Sequence, residues 1–273
     1  MSGCPMVSTE DATGEWTVVW EDDFSQQSID TGNWDYDLGD GKIVGLNGWG
    51  NNELQYYTDT QNNAFIRNNN LVIRAIKEDK SSDQYGSGSY TSARMVTRGQ
   101  HSWKYGRVEA SISLPSGQGL WPAFWMLPEL EGQHGGGVYG GWAASGEIDI
   151  MEARGSNPSQ ATGAIHYGGE WPNNTYQSGS YNLSEGTIED FHIYAIEWEP
   201  GEIRWYFNDV NYFTADNWHT EDPDGDFPAP FDQPFHIILN LAVGGHFDGD
   251  PPDNAEYFPA EMEIEYVRVY QRQ

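Results

Sequence analysis

Cysteine is nearly absent from this 273-residue chain: Cys4 stands alone, so no internal disulfide can form. Stability must come from a buried core, and a chain near 300 residues buries roughly 75% of its unfolded surface. A disulfide scaffold is excluded; secretion is not. Apolar runs are short as well. None reaches the roughly 18 residues of a helical membrane span. Basic residues are few: 13 Lys and Arg face 42 Asp and Glu, a net charge of −29. That charge repels phosphate backbones and anionic lipid, so neither nucleic acid nor a membrane surface is an expected partner. A sulfated polysaccharide would be repelled too, unless the cleft itself were basic. The acid excess also suggests adaptation to salt. Lowering salt toward zero is then expected to lower the melting temperature through self-repulsion, and an unchanged melting curve would exclude the idea.

Helical periodicity is scarce. Only "LSEGTIEDF", 183 to 191, reads as a modest helix, with Ser184 as its cap. What is plentiful is glycine (32), proline (14), Trp (12) and Tyr (16), which favours many short strands and turns around an aromatic core. Trp and Tyr also offer flat apolar faces with polar edges, which suit sugar rings. "NLVIRAIKE" alternates, and "GRVEASISL" puts Val108, Ala110, Ile112 and Leu114 on one face. "HIYAIEWEPGEIRWYFNDVNYF" reads as three antiparallel strands turning at Pro200-Gly201 and Asn208-Asp209. "PFHIILNLAVGG" reads as a strand covered on both faces. Residues 1–14, with Cys4, read as a polar tail, and 15–273 as a single sandwich domain of jelly-roll type. The loops at 131–141 and 217–234 are long enough to carry function.

The stretch "SGEIDIMEARG" carries Glu147, Asp149 and Glu152 at spacings of two and three. On a helix, Glu147 and Glu152 would diverge by about 140°. On a regular strand, Glu147 and Asp149 share a face and Glu152 points away. A β-bulge at Ile150-Met151 would return Glu152 to that face. The outer Cα atoms would then span about 13 Å. Glutamates leaning inward can close this to the about 5–5.5 Å of a retaining glycosidase pair. Three crowded carboxylates would also hold one glutamate protonated. Spacing alone leaves a solvated acidic strand and a carboxylate metal site open. Apolar neighbours at every intervening position favour function, because unpaired acids inside a sheet are costly.

"GEIDIMEARG" resembles the active-site strand of glycoside hydrolase family 16, in the form with an extra bulge residue. "WEDDFSQQSIDTGNW", "GWGNNELQYYT", "GLWPAFWMLP", "FHIYAIEW", "PFHIILNLAVGG" and "YVRVYQ" agree, and within the family they are most similar to bacterial laminarinases. The resemblance implies an all-β jelly-roll of two antiparallel sheets, with a substrate cleft on the concave face. It implies a secreted endo-β-1,3-glucanase, a monomer whose signal peptide is absent from this sequence. Glu147 would be the nucleophile, Glu152 the acid/base, and Asp149 the residue that orients the nucleophile. Trp121 and Trp125 would stack sugars beside the scissile bond, His166 would sit near the acid/base, and Asn51 and Arg74 would bind the glycone. For Arg74 a structural ion pair stays open, as does core packing for the tryptophans. The chemistry would need no cofactor. A structural calcium is implied on the convex side, but Glu265 stands at a position usually held by aspartate, and Asn69 where glycine is usual. Ala143 replaces a common proline, and "GGHFDGD" brings His246 and Phe247 into a loop often different in kind. A mixed-linkage glucanase, a galactan hydrolase and a non-catalytic sugar-binding module are the alternatives.

Overall fold

The computed structural model describes residues 14–129 and 136–273. The tail with Cys4, up to residue 13, and residues 131–135 of the glycine-rich loop lie outside the described residues. The strands are β1 (Trp16–Asp22), β2 (Asp35–Tyr36), β3 (Gln55–Tyr57), β4 (Ala64–Arg67), β5 (Asn70–Ala75), β6 (Lys80–Ser82), β7 (Gly86–Gly88), β8 (Tyr90–Ser92), β9 (Arg94–Val96) and β10 (Gly106–Ser113). They continue as β11 (Leu120–Pro128), β12 (Glu147–Glu152), β13 (Gln160–Gly168), β14 (Asn174–Asn182), β15 (His192–Glu199), β16 (Glu202–Phe207), β17 (Val210–Ala215), β18 (Phe235–Val243) and β19 (Ala260–Arg272). Helix among the described residues is limited to two short 3-10 turns.

Two antiparallel sheets form a jelly-roll sandwich. One runs β17-β16-β15-β10-β19-β5-β4, with β1 beside β19; the other runs β14-β13-β12-β11-β18-β9-β2. Alternation decides what lies between them. Val108, Ala110, Ile112 and Leu114 enter the core, as do Leu71, Ile73 and Ala75 of β5. From the facing sheet come Phe124, Met126, Ile148, Ile165, Leu239 and Leu241. Every residue of β18 is buried, as its continuous apolar run implies. Its other face meets a smaller cluster in which Val96, Leu127 and Ile238 pack with Trp125 and Trp142.

The short turns follow their residues. Asn208 and Asp209 both take positive φ, 46° and 62°, between β16 and β17, which is the geometry of a two-residue hairpin turn. Asn68 and Asn69, at 54° and 63°, repeat it between β4 and β5, so asparagine serves where glycine is usual. The helix expected at 183–191 does not form. Ile188 N–H donates to the Pro158 carbonyl and its own carbonyl accepts from Leu114 N–H, while its side chain is fully buried. Backbone groups bound to neighbouring segments cannot also close helical turns. The loop at 217–234 is pinned by Phe231 in the core and by Trp218, whose Nε1 donates to the Pro228 carbonyl at 2.9 Å.

The scarce arginines concentrate on the outer face of the eight-stranded sheet. Arg67 pairs with Glu261 and Glu263, Arg107 with Glu109 and Glu197, and Arg204 with Glu197, Glu199 and Glu202.

Candidate active site

The strand register answers whether the three acids share a face. Glu147 lies opposite His166, Asp149 opposite Ala164, and Glu152 opposite Thr162. His166, Ala164 and Thr162 are two residues apart in a regular strand, so they point one way. Their partners therefore do too, although Asp149 and Glu152 are three apart. The slip falls between Asp149 and Glu152, at Ile150 and Met151. On the other side Trp125 pairs with Asp149 and Phe124 with Met151, the same extra residue seen from β11. Trp205 of the opposite sheet supports the irregularity from within, its Nε1 donating to the Asp149 carbonyl at 2.8 Å. Gly163 makes room for it: a Cβ there would stand 2.2 Å from the Trp205 ring.

Each glutamate receives one indole N–H. Trp142 Nε1 donates to Glu147 Oε2 at 2.8 Å, and Trp121 Nε1 donates to Glu152 Oε1 at 2.9 Å. His166 Nε2 lies 3.4 Å from Asp149 Oδ2 and 3.7 Å from Glu147 Oε1. Burial, then the Asp149 charge, pushes Glu147 up to about 7. Burial, then Asp149 and Glu147, pushes Glu152 up to about 8. Burial alone would lower His166, but the carboxylates of Asp149 and Glu147 outweigh it and bring it up to about 9. His166 is then an imidazolium at neutral pH. Donor atoms of Glu147, Asp149 and His166 lie within 4.8 Å of one another.

Trp121 and Trp125 lie on the same face as the acids, four residues apart along β11. Trp125 Nε1 donates to Asn240 Oδ1 at 2.6 Å. Beyond it the Arg94 guanidinium lies between two rings, 4.4 Å from the Trp49 centroid and 4.7 Å from that of Trp125. Arg94 also pairs with Asp37 at 3.0 Å. Asn51 joins this side through Glu53, its Nδ2 donating to Glu53 Oε1 at 3.2 Å. Burial raises the Glu53 carboxyl, while hydrogen bonds from Gln55 and Asn51 and the Arg94 charge oppose the rise.

One expected residue falls elsewhere. Arg74 belongs to β5 of the opposite sheet, where it points away from the core and pairs with Glu261 at 2.7 Å, above the Phe65 ring. It cannot reach the face that carries the acids and is removed from the glycone set. Arg94, in "ARMVTRG", is the arginine on that side: it opens β9 of the acid-bearing sheet and packs against the Trp125 ring. Glu265 sits at a register slip of β19 against β10 and accepts from Ser111 Oγ at 2.5 Å. Among the described residues no group of His, Cys, Asp and Glu ligands gathers around it. Trp142, which holds Glu147, was visible in sequence only as one tryptophan among many.

The pattern described as "Glycosyl hydrolases family 16" matches residues 51–268. "Glucan endo-1,3-beta-glucosidase A1" of Niallia circulans is 41% identical over 277 residues, covering 97% of this chain and 39% of that protein. "Beta-glucanase" of Rhodothermus marinus is 44% identical over 274 residues, covering 98% of this chain and 90% of that protein. Among solved structures, the laminarinase catalytic domain from Thermotoga maritima superposes with a TM-score of 0.81 at 39% identity, covering 95% of this chain and 99% of that one.

Proposed function

Since the chain belongs to glycosyl hydrolase family 16, we propose that it is a retaining endo-β-1,3-glucanase acting on laminarin-like polymers. One observation carries the reading: the bulge in β12 turns Glu147, Asp149 and Glu152 to one face, each outer glutamate held by its own indole N–H. Glu147 attacks the anomeric carbon as Glu152 protonates the departing glycosidic oxygen, giving a glycosyl-enzyme ester. Glu152, now a carboxylate, takes a proton from water; that water attacks the same carbon, expels Glu147 and leaves the β-configuration intact. The His166 cation favours an ionised Glu147, while burial and two neighbouring anions keep the proton on Glu152. Asp149 links the two effects by anchoring His166 beside Glu147.

No step needs a cofactor. The substrate is a polymer too large to enter a cell, which supports secretion, and no helix of the described residues is long and apolar enough to cross a membrane. Residues 15–273 act as one catalytic sandwich, working as a monomer. Trp121 and Trp125 supply stacking faces at the scissile bond, and Asn51, Glu53 and Arg94 supply polar contacts on the glycone side. The test is product analysis on laminarin, lichenan, agarose and carrageenan, with the anomer followed by NMR. Laminarin should yield an oligosaccharide ladder whose new ends form first as the β-anomer. An initial α-anomer would overturn retention, and preferred cleavage of agarose would move the substrate to galactans.

A further inference from the structure

We propose that Phe247 is a positioning residue for the acid/base Glu152, acting through Trp121; the proposal rests on the reading of Glu152 given above. Trp121 is the group that donates to Glu152 Oε1. An indole held at one edge can still tilt, and a tilt moves its N–H off the carboxylate. Phe247 restrains that tilt. Its ring stacks on Trp121 with centroids 4.9 Å apart and planes 26° from parallel. Behind Phe247 lies Arg154, its guanidinium 3.9 Å from the ring centroid. Arg154 Nε also donates to the Phe247 carbonyl at 2.7 Å, so one side chain fixes both the ring and its backbone.

The loop that presents Phe247 is anchored on both sides of the same strand ends. Asp248 Oδ2 accepts from Gly119 N–H at 2.8 Å, two residues before Trp121, and from Ser156 N–H at 3.1 Å. Asp248 Oδ1 accepts from the Ser156 hydroxyl. Arg154 itself follows Glu152 by two residues. The layers Arg154, Phe247 and Trp121 therefore close a circuit that begins and ends at Glu152. The consequence is chemical as well as steric. With Oε1 engaged as the acceptor of the indole N–H, the transferable proton is directed to Oε2, the oxygen left for the departing glycosidic oxygen.

The test compares Phe247→Ala on laminarin with an aryl laminaritrioside bearing a dinitrophenolate leaving group, which needs little protonation. The expected result is a roughly tenfold lower kcat on laminarin, the scale of one charge-assisted hydrogen bond, with KM changed by less than about twofold. On the aryl substrate kcat/KM, which reports the glycosylation step alone, should stay near the wild-type value. Phe247→Tyr, which keeps the stacked ring, should restore laminarin hydrolysis, and the circular dichroism of both variants should match the parent. A raised KM with unchanged kcat would make Phe247 a sugar contact and overturn the proposal. So would equal losses of kcat/KM on both substrates, or failure of Phe247→Tyr to restore activity. Glu152→Gln serves as the separate control: if it loses kcat/KM equally on both substrates, the acid/base reading fails, whatever Phe247→Ala does.

Discussion

Glu147→Ser is expected to lower kcat on laminarin by roughly 10⁴-fold or more while leaving a folded and more heat-stable protein. No other side chain takes over as nucleophile. Asp149 faces the same way but lies deeper, with 4% side-chain exposure against 13% for Glu147, and it is engaged by His166. The gain in stability follows from the raised pKa. Burial and the Asp149 charge make the ionised Glu147 costly in the folded state, whereas the unfolded chain ionises it near its ordinary 4.5. The folded state therefore loses stability as pH climbs from about 4.5 to about 7, and carries the full penalty above that. Serine removes the penalty. The melting temperature should rise by a few degrees near neutral pH and hardly change near pH 4, where parent and variant are both uncharged at this position. Turnover assays with calorimetric melts at the two pH values check both halves. Retained turnover would remove Glu147 as nucleophile, and a lower melting temperature at neutral pH would contradict the charge argument.

Glu152→Gln is the second large effect. Glutamine keeps the shape and can accept the Trp121 N–H, but it cannot give up a proton to a departing alkoxide. Hydrolysis of laminarin should fall about 10³-fold, within the usual contribution of general acid catalysis. Glycosylation by a dinitrophenyl substrate should fall far less. The pH profile carries a matching signature. The parent needs Glu147 ionised and Glu152 protonated, so activity fails at low pH as Glu147 takes up a proton. It fails again at high pH as Glu152 loses one, in the region of about 8. Both limbs stand to the alkaline side of ordinary carboxylates because burial raises both groups. With the activated substrate, Glu152→Gln should lose the high-pH limb and keep the low-pH one. Persistence of the high-pH limb in that variant would assign it to another group, His166 being the nearest that titrates there.

The amino-acid pattern alone decided the class of fold and most of the core. Period-two alternation in β5 and β10 names the inward residues without reference to anything else, because a pleated strand admits only two faces. Turn chemistry at Pro200-Gly201 and Asn208-Asp209 is equally local. The broken period of "EIDIME" was also legible, since a 2,3 spacing of acids on an otherwise apolar strand has one economical repair, an extra residue at Ile150-Met151.

Partnership between distant strands was not legible. Arg74 and Arg94 each stand next to apolar residues; only the strand order puts β5 in one sheet and β9 in the sheet that carries the acids. The expected helix at 183–191 failed because Pro158 and Leu114, remote in sequence, claim the backbone of Ile188. The bond from Ser111 to Glu265 joins neighbouring strands that lie 154 residues apart in sequence. The indole donors Trp121 and Trp142, the Trp205 support behind the bulge and the Phe247 stack join residues from 5 to 126 positions apart. Local sequence fixes which face a side chain takes, because that depends on its own backbone. Which groups meet across that face depends on sheet order and register, and those are settled only when the whole sandwich closes around its core.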